Sequence, residues 1–156
     1  MPIARFICPR RQSTFSLLPI QLIPYFQYTV NAVLGVVLLA FRYWQMGQRG
    51  FYGASDQVDP DSMVTPYLVG YWLTAIISGF RRAHGILVRF YDLSDVKTFS
   101  QGSGLWDEAS GYFLALGIKP EISWPLLIRT LLIRYSRTTS RFLFGTASQH
   151  RMATCR

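Results

Sequence analysis

Charged residues are scarce, 15% of 156 positions, against roughly a quarter in an ordinary soluble domain. That deficit leaves two settings open: a membrane, or a chain that lacks part of its soluble surface. Acids are scarcer than bases, eight against sixteen, and the net charge is +8. No acid follows Glu121, whereas Arg129, Arg134, Arg137, Arg141, Arg151 and Arg156 do. There are two cysteines, Cys8 and Cys155, near opposite ends. One bridge is possible in principle, but two thiols make no disulfide framework, and nothing looks secreted.

Catalytic patterns are missing as well. Asp56-x-x-Asp59-x-Asp61 lacks the bidentate glutamate and glycine turn of a calcium loop, so it reads as a solvated loop with a helix-start charge. Gln101-Gly102-Ser103-Gly104 has neither the lysine nor the helix register of a phosphate loop. Transposase chemistry wants three separated acids on a nuclease-like sheet, and these acids are too few and too local. The expectation is a protein with no catalytic residues, no cofactor, no evident small-molecule substrate and no bound metal.

What is present is apolar and basic. Half the residues are hydrophobic and 15% are aromatic, which argues against disorder throughout. The bases are almost all arginine and favour polyanionic partners, either nucleic acid or an anionic membrane face. Arg5, Arg10 and Arg11 precede the uncharged run Gln12 to Phe41, which imitates a signal peptide. Pro19, Gln21, Pro24, Gln27 and Asn31 interrupt that run and no small-x-small site closes it, so a cytoplasmic location is expected.

Along the chain, residues 1–28 read as irregular or extended, with Arg5 to Pro9 suited to a short strand ending at a turn. Pro19 and Pro24 forbid a continuous helix. From Thr29 a helix is expected, with Val30, Val33, Leu34, Val37, Leu38, Phe41 and Trp44 as its buried stripe. Gly47 to Pro60 reads as a loop. Thr65-Pro66 opens a second helix, a cap residue followed by proline at the first helical position. Its expected stripe is Leu68, Tyr71, Trp72, Ala75, Ile76 and Phe80, and it ends near Gly79 or bends there and resumes towards Phe90. Asp92 to Asp107 reads as a linker, and Gly111 to Ile118 as a short apolar piece stopped by Pro120. Pro125 opens a third helix, Leu126 to Arg137, with Leu127, Thr130, Leu131 and Arg134 on neighbouring turns. Thr138 to Arg156 reads as a mobile basic tail.

The motif-like stretch is Cys8-Pro9-Arg10-Arg11-Gln12-Ser13-Thr14-Phe15-Ser16-Leu17-Leu18-Pro19, followed by Leu22-Ile23-Pro24-Tyr25-Phe26-Gln27-Tyr28. It resembles the second knuckle of a zinc ribbon in small proteins associated with bacterial transposons, which pair such a ribbon with a helix-turn-helix. The closing Phe142-Leu143-Phe144-Gly145-Thr146 has a familiar look too, although the likeness covers mainly residues 5–90. The resemblance implies an accessory or vestigial mobile-element protein that touches DNA. The sequence departs from the pattern at the metal: the second cysteine of the knuckle falls at Arg11, and the first knuckle would precede Met1. Cys8 is then a leftover ligand position. Cys155, His84 and His150 have no ligand spacing to it.

The expected fold is therefore mainly α: a small helical, helix-turn-helix-like domain over 29–91, after a degraded zinc-ribbon remnant and proline-rich lead-in over 1–28. A linker, short helix and basic tail follow over 92–156. Between Thr65 and Phe80 there is no Arg, Lys, Asn or Gln to read base edges, and Thr65, Tyr67, Thr74 and Ser78 are the only polar candidates. Arg42, Arg49, Arg81 and Arg82 form a candidate rim for weak, salt-dependent contact with the DNA backbone; Thr65 and Tyr67 complete the candidate DNA-binding set. The competing reading is a small membrane-associated protein with hydrophobic helices over 25–41 and 62–80, bounded by Arg42, Arg81 and Arg82.

Overall fold

A computed structural model describes the backbone of residues 4–8 and 13–17, and residues 28–58, 63–96, 104–119, 124–139 and 141–144. It is mainly helical. Two short strands, β1 (Ala4–Cys8) and β2 (Ser13–Leu17), come first. Five helices follow: α1 (Val30–Gln45), α2 (Gly50–Val58), α3 (Pro66–Leu87), α4 (Leu105–Ala115) and α5 (Trp124–Thr139). The strands pair antiparallel, from Ala4 opposite Leu17 to Cys8 opposite Ser13. The expected strand at Arg5 is thus one arm of a hairpin. Pro9 to Gln12, in the stretch that resembles a knuckle, lie outside the described residues, as do most of the lead-in (18–27) and residues 145–156 of the expected tail, including His150 and Cys155.

Local signals set the helix ends. Thr29 caps α1, its Oγ1 accepting the Ala32 N–H at 3.2 Å, and Thr65 caps α3 by accepting the Leu68 N–H at 3.2 Å. Pro66 loses nothing at the first position of α3, where an N–H has no helical partner. At α4 the Asp107 carboxylate accepts the Gly104 N–H at 3.0 Å. Asp107 and Glu108 also place negative charge at the positive end of the helix dipole. α1 and α4 end alike: Gly47 and Gly117 take positive φ, so that Gln48 donates back to Tyr43 and Ile118 to Phe113.

One buried cluster runs from Val30 to Phe144 and joins α1, α3, α4, α5 and the Leu143-Phe144 segment. The α1 stripe is buried as expected, with Trp44 half-buried at its end. Trp72 of α3 is enclosed, and Tyr28 meets it edge-on at 5.1 Å. Phe41, Trp44, Phe51, Trp106 and Phe113 form an aromatic box between α1, α2 and α4. The oily helices near positions 30 and 70 therefore lie in a shared protein core. Among the described residues, no helix is long and apolar enough to cross a membrane.

Several expectations need correction. The stretch read as a loop from Gly47 to Pro60 contains α2. Its buried residues are Gly50, Ala54 and Ser55, too small to register as a hydrophobic stripe yet small enough for close contact with α1. A Cβ on Gly50 would stand 2.5 Å from the Ala40 carbonyl oxygen. α3 neither stops nor restarts at Gly79, because that glycine admits Leu143 and Phe144 against the helix while the ladder continues to Leu87. The α3 stripe is rotated: Val69, Leu73 and Ile77 join Trp72, Ile76 and Phe80 inside, while Tyr71 faces solvent. Finally, the assumed linker gives way at Leu105 to α4; on α5 the buried residues are Ile128, Leu131, Leu132 and Tyr135, leaving Leu127 outward; and the stretch read as a mobile tail from Thr138 begins inside α5, with Leu143 and Phe144 buried in the core.

Candidate functional site

The basic residues singled out from the sequence do not gather at one point. Arg42 sits in the last turn of α1, exposed, where its charge suits the negative end of the helix dipole. Arg49 lies just before α2 with its guanidinium 6.0 Å from the centre of the Tyr52 ring. Thr65 spends its hydroxyl as the α3 cap, and Tyr67 is 85% exposed on the first turn of that helix. Arg82 is exposed on α3. Cys8 ends β1 opposite Ser13.

Arg81 has a different setting. Its Nε donates to Glu108 Oε1 at 2.7 Å, and its Nη2 donates to Glu108 Oε2, a bidentate pair between α3 and α4. The Glu108 side chain is 0% exposed and that of Arg81 is 39% exposed, so the guanidinium closes over a carboxylate sealed in the core. The hydrogen bond to Glu108 raises the Arg81 pKa above its ordinary value. One turn along each helix, His84 Nδ1 and the Tyr112 hydroxyl share a hydrogen bond of 3.0 Å. Burial first, and the Glu108 charge second, push the Tyr112 phenol up to about 12. Phe80 stacks on the Tyr112 ring at 5.2 Å.

Four polar side chains in two bonded pairs suggest acid–base chemistry at first sight. Both Glu108 oxygens, however, are taken by Arg81, and Glu108 and Tyr112 are enclosed by the core. The arrangement is a clamp holding α4 on α3. Composition did not reveal it. The available signal was Glu108 itself, an acid on the same helical face as Tyr112 and beside the apolar Ala109 and Phe113.

Two further surfaces complete the picture. The outward arc of α5 carries Arg129, Arg134 and Arg137 among Leu126, Leu127 and Thr130, with no acid anywhere on the helix. The Arg134 guanidinium lies 5.1 Å over the Phe90 ring. In contrast, a shallow pocket of about 440 Å³ is lined by Asp92, Asp95, Asp107, Ser110, Gly111, Leu114 and Ala115. The Asp92 pKa is lowered because the Ser94 hydroxyl and N–H both donate to its carboxylate. Such a pocket repels a polyanion. Among the described residues, no three of His, Cys, Asp and Glu come together as a metal site.

Compared with known proteins, the sequence matches no family model, and no curated protein or solved structure is similar to it.

Proposed function

We propose that the chain is a non-catalytic accessory protein that binds DNA weakly through its backbone phosphates. The observation that carries this is the distribution of charge over a closed apolar core. Arg42, Arg49, Arg82, Arg129 and Arg137 are exposed on α1, α3 and α5 or beside α2, while Glu108, the acid that packing encloses, is neutralised by Arg81. Guanidinium groups on the outside of a rigid body attract a phosphate chain by releasing its counterions, with no need to read bases. α3 carries no base-edge reader through Phe80, which agrees with weak sequence preference.

The mobile-element role rests on the likeness of Cys8 to Pro19 to a zinc-ribbon knuckle. Arg81 enters the rim only through its half-exposed edge, and its main task is to hold Glu108.

Detergent-free extraction, followed by retention on duplex DNA and co-sedimentation with anionic phosphatidylserine vesicles, tests the reading. Protein that is soluble without detergent and elutes from DNA as salt rises is the expected result. Complete partition into vesicles, with no retention on DNA, would contradict it and favour the bilayer reading.

A further inference from the structure

We infer that the outward stripe of α5 is a docking face for an anionic lipid surface, its leucines entering the interface and its arginines meeting headgroup phosphates. The inference goes beyond the proposed DNA binding and does not depend on it. Counting from Leu126, Arg129, Thr130, Ile133 and Arg137 stand three, four, seven and eleven residues on, so they fall along one line of the helix. That line lies opposite Ile128, Leu131, Leu132 and Tyr135, which the core encloses. The stripe therefore points away from the body of the protein. Leu126 is 64% exposed and Leu127 beside it 38%, and Arg129 and Arg137 are exposed.

Charge decides the sign of what covers it. α5 carries Arg129, Arg134 and Arg137 and no acid, and no acid follows it to the end of the chain. Among the described residues, no carboxylate pairs with Arg129 or Arg137. Arg134 is not counted as a contact, because its guanidinium already rests over the Phe90 ring at 5.1 Å. The complementary surface is anionic.

The other side chains of the stripe select lipid. A nucleic-acid backbone satisfies guanidinium groups but gives Leu126 and Leu127 nothing apolar to enter. Thr130 and Thr138 turn their hydroxyls back to the Leu126 and Arg134 carbonyls, both at 2.9 Å, so they present methyl groups and not donors for a phosphate. A lipid surface uses both kinds of side chain at once. Leucines enter the boundary between headgroups and acyl chains, while arginines lay their stems on apolar surface and raise their guanidinium groups to the phosphates. Arg129 and Arg137 are about 12 Å apart along the axis, far enough to reach separate headgroups with α5 lying in the membrane plane. Such docking is peripheral and needs no spanning helix, and none occurs among the described residues.

Flotation of the full chain with phosphatidylcholine vesicles, with and without phosphatidylserine, tests the inference alongside retention on duplex DNA. Affinity for the phosphatidylserine vesicles is expected to be at least about tenfold higher and to fall with salt. Leu126→Ser should cost about fivefold on those vesicles and leave DNA retention unchanged, whereas Leu126→Phe should retain affinity. Arg129→Gln and Arg137→Gln should each cost about fivefold. Equal binding to both vesicles, binding to neither, or a Leu126→Ser variant that matches the parent overturns the docking face. Arginine variants that weaken DNA retention alone assign the stripe to nucleic acid and overturn it too. Vesicle binding of the expected pattern without DNA retention supports the docking face and overturns the DNA reading. Circular dichroism of each variant separates lost folding from lost docking.

Discussion

Arg81 and Glu108 illustrate how one side chain's surroundings redirect its role. In sequence, Arg81 and Arg82 are equivalent, adjacent and basic. In the fold, one closes over an enclosed carboxylate and the other points outward. Arg81→Ala strips Glu108 of its charged partner and should lower stability by about 2 kcal/mol. That is less than the roughly 3–5 kcal/mol of a fully buried pair, because the 39% exposed guanidinium is screened by solvent. Pairing Arg81→Met with Glu108→Leu should recover most of the loss in chemical denaturation, since two apolar groups leave no charge behind. Tyr112 supplies a pH test. Its phenol is raised from 10.0 to about 12, so the neutral form is favoured in the folded state. The associated stability is complete below pH 10 and lost as pH climbs through 10 towards about 12. Tyrosinate absorbance should show one late-ionising group that disappears in Tyr112→Phe.

Among the helices, small residues decide close approaches. Gly79→Ala would place a Cβ 2.8 Å from the Leu143 carbonyl oxygen and the Phe144 ring, and should cost about 1–3 kcal/mol by displacing that segment. Gly85→Ala, six residues on along the same helix, meets nothing within 4 Å and should instead stabilise by about 0.5–1 kcal/mol. Thermal melts of the two variants should move in opposite directions. The same contrast explains what the sequence made legible. Thr29, Thr65 and Pro66 announced the starts of α1 and α3, because capping is local chemistry. α1 also showed its buried stripe. α2 did not, since Gly50, Ala54 and Ser55 contribute close contact without hydrophobic signal. The outward placement of Tyr71 was hidden for the opposite reason: α3 is apolar nearly all round, and its neighbours choose the inner face. The Arg81–Glu108 clamp spans 27 residues and could not be read from local spacing.

For the molecule as a whole, the arginines matter collectively. Each contributes little alone, and a solvated arginine at a helix end has a use in balancing the dipole. Their number, spread over several exposed faces, is what the proposed binding of a polyanion rests on. The most direct measurement is the dependence of nucleic-acid affinity on salt, for the parent chain and for a variant carrying Arg42→Gln, Arg49→Gln and Arg82→Gln. The logarithm of affinity should fall linearly with the logarithm of salt concentration, and the slope should shrink by about one for each arginine removed. Affinity indifferent to salt, or a slope unchanged in the triple variant, would contradict the account.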